Sequence, residues 1–201
     1  MLTTLRWRSR SRPDVRCAAR TVMVPLLGVL CTSPASAQAA AQPAAPRPLA
    51  HPCLTAPENH QFDFWVGMWD VTPWQVATPT AQQKLGENDV HPILQHCVIS
   101  ENWTGARGGE GKSYNYYDPT LKKWRQVWIA DSGGVLDYTG EYRDGAMRFQ
   151  GFTIDAQGHR VEQRLTFFNV APDTVRQLFE TSKDGGQTWA AGFDGRYVRR
   201  H

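Results

Sequence analysis

The chain has 201 residues, with 22 basic and 19 acidic side chains and a formal charge of +3. That length suits one domain with additions rather than two domains. The basic excess sits at the front: residues 2–20 hold six arginines and one aspartate, and the rest of the chain carries 16 basic against 18 acidic residues, net −2. Nucleic-acid binding needs a basic face on the folded domain, so the charge balance argues against a nucleic-acid partner.

The arginine-rich opening passes into a short apolar run at 21–32 (TVMVPLLGVLCT) and then Ala35-Ser36-Ala37. A basic start, roughly 7–15 apolar residues and an Ala-x-Ala site together describe a secretory signal over residues 1–37. The run is shorter than the about 20 residues a bilayer span requires, so no membrane span is expected in the mature chain. The expected location is the periplasm or the cell exterior. Residues 38–55 are rich in Ala and Pro and read as an extended tether, leaving 56–201 as the folded domain. Cys17 and Cys31 leave with the signal, while Cys53 and Cys97 stay. Two cysteines in an oxidising compartment read as a pair, closing a loop of about 45 residues that stabilises by roughly 4 kcal/mol. The alternative is two separate buried thiols.

Pro57 suits the first position of a helical turn over 56–60. The stretch 62–71 (FDFWVGMWDV) then leads into a first strand, and 74–84 reads as a loop. Strands follow over 86–93, 97–104, 112–117, 123–130, 135–141, 147–154, 160–169, 174–182 and 188–198. The connections are short and carry turn chemistry, such as Leu94-Gln95-His96, Asp118-Pro119-Thr120, Asp131-Ser132-Gly133-Gly134 and Asp144-Gly145. Asp-Gly supplies the positive φ of a tight hairpin. About ten strands at 8–12-residue spacing predict an all-β fold. Hairpin after hairpin favours an antiparallel up-and-down barrel, which removes exposed sheet edges.

Gly67-Met68-Trp69 looks like the Gly-x-Trp of lipocalins. With CVISENWTG, SYNYYDP, WRQVW, VRQLFETSKDGGQTW and FDGRYVRR, the stretch from Phe62 to Arg200 resembles a bacterial family of secreted, calycin-like barrel domains of uncharacterised function. The resemblance implies a ten-stranded barrel shaped like lipocalins and fatty-acid-binding proteins, and no established reaction. It implies that Trp69 plugs the closed end with an arginine of the last strand across it; of Arg196, Arg199 and Arg200, Arg199 is the expected one. The segment 73–79 is longer than the first hairpin usual in that family.

Alternate strand residues share a face, and a barrel of this size holds one small ligand. Aromatic walls with a few placed polar groups are the usual lining of such a pocket. The expected inward set is Glu101, Trp103, Asn115, Tyr117, Gln126, Trp128, Arg164, Arg176 and Glu180. The competing reading is that the charged members form structural pairs and the tryptophans fill a solid core. Glu101, Arg176 and Glu180 are the candidates for catalysis, with Glu101 and Glu180 a pair only if the fold brings them within about 5–10 Å. No nucleophile elbow or phosphate loop occurs. No two of the six histidines are spaced like a zinc pair, so neither metal nor cofactor is expected. Residues 182–189 (SKDGGQTW) fit an Asp-box, in which Asp184, Gly186 and Trp189 staple a hairpin. The expected function is therefore an exported barrel that binds a small apolar or amphipathic molecule. The alternatives are an isomerase, cyclase or hydrolase using the same interior, and a scaffold that holds no ligand.

Overall fold

The structure, a computed structural model, describes residues 51–201. The expected signal and most of the expected tether lie outside the described residues. Ten strands follow one another: β1 (Gly67–Pro73), β2 (Gly86–Ile93), β3 (Val98–Gly105), β4 (Glu110–Asp118) and β5 (Lys123–Ala130), then β6 (Val135–Arg143), β7 (Ala146–Ile154), β8 (Arg160–Ala171), β9 (Thr174–Ser182) and β10 (Ala190–Arg199). Each pairs antiparallel with its neighbours in sequence, and β1 pairs with β10 to close the barrel. The fold is the all-β, up-and-down barrel that the strand spacing predicts, and it is compatible with a calycin-like shape.

Turn chemistry sets the connections. Asp144 and Gly145 take φ values of 52° and 70° between β6 and β7, as a tight hairpin requires. The β2–β3 turn is stranger, because Leu94, Gln95 and His96 all have positive φ (51°, 55° and 69°). Left-handed backbone costs about 1–2 kcal/mol per non-glycine residue, so this turn needs outside support. Cys97 supplies some of it through a disulfide to Cys53, with Cα atoms 5.0 Å apart. The two cysteines are therefore paired rather than separate thiols.

The segment before β1 forms one helical turn, α1 (Pro52–Thr55), and two 3-10 turns, Pro57–His60 and Asp63–Trp65. It closes one end of the barrel. Phe62 and Trp65 are completely buried; their rings stack at 4.8 Å, and Phe62 meets Phe167 at 5.1 Å and Trp124 at 5.8 Å. Trp124 Nε1 donates to Gln61 Oε1 and Trp69 Nε1 to Trp65 O, so the buried indoles also hold the plug by hydrogen bonds.

Arg199, paired with Trp69 across β1 and β10, lies over the Trp69 ring with its guanidinium carbon 4.2 Å from the centroid. It donates to Val66 O at 2.6 Å and to Asp173 Oδ1 at 3.0 Å. A Cβ on Gly67 would stand 2.0 Å from Arg199 Nη1, and Gly67 has φ +151°. Only glycine fits there, which explains the Gly of the Gly-x-Trp. Outward positions carry ion pairs such as Arg125–Asp137 and Lys123–Glu141. Among the described residues no helix is long and apolar enough to cross a membrane.

Candidate functional site

The barrel interior is filled at the plugged end and hollow toward the other. A cavity of about 230 Å³ opens between the strands there. Its wall is mainly aromatic, with Trp103 from β3, Trp128 from β5, Phe179 from β9 and Phe193 from β10, and Phe167 at its floor. Period-2 alternation places them, since each shares the inward face of its strand and its immediate neighbours lie on the outer face. The rings at the open end are only half buried, whereas Phe167 is wholly buried.

Glycines decide that these rings line the wall instead of filling the space. A Cβ on Gly111 would stand 2.1 Å from the Trp128 ring, and one on Gly86 would stand 2.5 Å from Trp103. Each indole therefore lies flat over a bare stretch of backbone, a cross-strand aromatic–glycine arrangement that also shields the strand. Any side chain at either glycine would push its ring toward the cavity centre.

One side of the cavity is polar. Glu101 is 3% exposed and lines the cavity. Its carboxylate accepts from Asn88 Nδ2 at 2.8 Å and from Ser113 Oγ at 2.6 Å. Gln126 Nε2 donates to Asn115 Oδ1 at 2.7 Å, and Asn115 Nδ2 donates to Ser113 Oγ at 2.9 Å. The donors thus run in one direction, from Gln126 through Asn115 and Ser113 to Glu101, across β5, β4 and β3. Burial pushes the Glu101 carboxyl up from 4.5 to about 7, against the opposing effect of the Ser113 and Asn88 donors. A group in this state both donates and accepts protons near neutrality. The Tyr197 hydroxyl, which also lines the cavity, donates to Gln177 Oε1, and burial, with the Glu101 carboxyl nearby, keeps this phenol well above its ordinary pKa.

Of the expected inward residues, Glu101, Trp103, Gln126 and Trp128 line the cavity. Asn115 also faces inward, fully buried in the polar chain, without lining the cavity itself. Tyr117 packs on Trp124 toward the plugged end, 6.2 Å between ring centroids. Arg164, Arg176 and Glu180 are corrections, because all three face outward. Their strand neighbours Leu165, Gln177 and Phe179 point in. Arg164 makes a two-pronged pair with Glu180 (2.5 and 2.7 Å), and Arg176 makes one with Asp194 (2.8 and 2.9 Å). Enclosing those charges in an aromatic barrel would require desolvating them fully, whereas on the outer face each keeps its partner and part of its access to water. Glu101 and Glu180 therefore lie on opposite faces of the wall and do not meet as a pair.

Sequence reading missed Tyr138, Leu165, Gln177, Phe179, Phe193 and Tyr197. The signal was present on β9, where Val175 and Phe179 alternate with Arg176 and Glu180, and the apolar set marks the inward face. In the loop between β9 and β10, Asp184 accepts from the amides of Gln187 and Thr188 and from the hydroxyls of Ser182 and Thr188. These donors hold its carboxyl far below the usual range. Trp189 Nε1 donates to Gly186 O at 3.0 Å, and Arg164 lies 4.2 Å over the Trp189 ring. The geometry is that of a hairpin staple. Spacing along the chain gives no histidine pair, yet the fold brings His60 and His96 onto Asp63. No protein-family model matches the chain, and no curated protein matches it.

Proposed function

We propose that this chain is an exported barrel, of the secreted calycin-like kind its sequence resembles, that binds one small apolar or amphipathic molecule in its interior. The observation that carries the reading is the cavity of about 230 Å³ with aromatic walls and one polar side. An apolar cavity of about 150 Å³ accommodates benzene, so a molecule of roughly bicyclic size suits this one. Long acyl chains do not, since pockets for larger ligands run from about 300 Å³ upward. The residues proposed to hold the ligand are Trp103, Trp128, Phe179 and Phe193 by apolar contact, and Glu101 and Gln126 by hydrogen bonds. The Cys53–Cys97 bond supports export, because such bonds persist in oxidising compartments. The domain division into signal 1–37, tether 38–55 and barrel 56–201 belongs to the same proposal.

Solvent extraction of protein purified from an exporting host, followed by mass spectrometry, tests this. The expected result is one small apolar molecule per chain. A protein that releases nothing and takes up no apolar probe contradicts the reading. The enzymatic alternative keeps only Glu101 of its three candidates, and the upward-shifted carboxyl is the observation in its favour. Conversion of the extracted molecule by the wild type but not by Glu101→Gln would establish it.

A further inference from the structure

We infer that His60, Asp63 and His96 form a binding site for a divalent transition metal, with zinc the best match, outside the plugged end of the barrel. The three side chains come from separate places. His60 ends one 3-10 turn, Asp63 begins the next, and His96 belongs to the left-handed β2–β3 turn. His60 Nδ1 lies 2.7 Å from Asp63 Oδ2, and His96 Nε2 lies 2.7 Å from Asp63 Oδ1. The ligand atoms of all three lie within 4.8 Å of one another. Zinc bonds of about 2.0–2.2 Å in tetrahedral geometry require ligand atoms roughly 3.3 Å apart. The observed separations bracket that value, so small side-chain rotations admit the ion.

A second observation concerns how the imidazoles are aimed. His60 Nε2 faces Leu54 O at 3.2 Å. A backbone carbonyl there takes the Nε2–H proton and leaves the Nδ1 lone pair facing the centre of the cluster, the outer arrangement metal-bound histidines generally have. Among the described residues the ion-pair partners of Asp63 are the two imidazoles, with no Lys or Arg to neutralise it. The disulfide fixes both sides of the site, since Cys53 precedes Leu54 and Cys97 follows His96. It thereby holds His96 in backbone that is unfavourable for a non-glycine residue. Two nitrogens and one carboxylate oxygen suit borderline ions such as zinc, whereas magnesium and calcium prefer all-oxygen sets. The side chains of His60 and Asp63 are 39% and 38% exposed, so an ion can enter and solvent can complete its shell.

The test is zinc uptake by chelator-stripped protein with its disulfide intact, measured by competition with a chromogenic chelator. The expected result is one equivalent per chain, lost or weakened at least about tenfold in Asp63→Asn and in His96→Gln, and unchanged in His159→Gln. Near-UV circular dichroism of each metal-free variant checks that the fold survives. Should a variant fail to fold, the wild type alone decides: zinc should shift the imidazole NMR signals of His60 and His96 and leave that of His159 in place. Zinc uptake by the wild type no greater than by His96→Gln, or shifts spread over all histidines, overturns the site.

Discussion

The two ends of this barrel interior are lined by the same residue types and end up in opposite states. At the plugged end, Phe62 and Trp65 enter from a segment outside the barrel and complete a solid aromatic core with Trp69, Trp124 and Phe149. At the other end none of the described residues enters from outside the barrel, and Gly86 and Gly111 let Trp103 and Trp128 lie back against the wall. Among the described residues the hollow therefore arises where the wall is cut back by glycine and no plug is inserted, not where aromatic residues are scarce. The contrast assigns stability to one end and ligand capacity to the other.

The largest way to break that division is Trp65→Ala. Removing a fully buried indole should cost about 3–5 kcal/mol, read by urea denaturation. The folded fraction should still bind an apolar probe with unchanged affinity, because Trp65 does not line the cavity. Next comes the polar side. The Glu101 carboxyl is held at about 7 in the folded protein against an ordinary 4.5, so between these values the folded state binds more protons than the unfolded one. Its contribution is complete below about pH 4.5, declines as pH rises, and is lost above about pH 7. The change is on the order of 3 kcal/mol. Denaturation at several pH values should show the wild type losing that much relative to Glu101→Gln. A constant difference between the two would mean that Glu101 titrates normally.

Gly111→Val should have a smaller effect on stability, about 1–3 kcal/mol from overpacking, with a disproportionate loss of probe binding as Trp128 is driven inward. The smallest effect is expected outside the barrel. Arg164→Ala removes a half-exposed guanidinium from Glu180 and from the Trp189 ring, at a cost of about 1 kcal/mol. It should leave probe binding untouched, which separates the outer charges from the inner site.

The sequence pattern makes the barrel plain, because strand length, hairpin chemistry and period-2 alternation are local properties. The Gly67–Trp69–Arg199 closure and the staple around Asp184 were equally legible from short motifs. The interior is less legible. Glu101, Trp103, Gln126 and Trp128 follow from parity on β3 and β5. On β8 and β9, however, parity leaves two faces to choose between, and the apolar residues, not the charged ones, mark the inside. Leu165 and Phe179 mark the inward faces, while Arg164, Arg176 and Glu180 lie on the outer face with their partners. The cavity also depends on what small residues leave out. Gly86 and Gly111 look like ordinary strand-end glycines until the rings above them are seen. The convergence of His60 and His96 has no local signature, because it is made by a disulfide and a left-handed turn.

The hollow end is tested most directly by calorimetric titration of the wild type and Gly111→Val, side by side, with indole, a bicyclic apolar molecule with one hydrogen-bond donor. Saturable one-to-one binding to the wild type is expected, with at least a tenfold loss in Gly111→Val while that variant remains folded. No saturable binding to the wild type, or equal binding to both proteins, would contradict it.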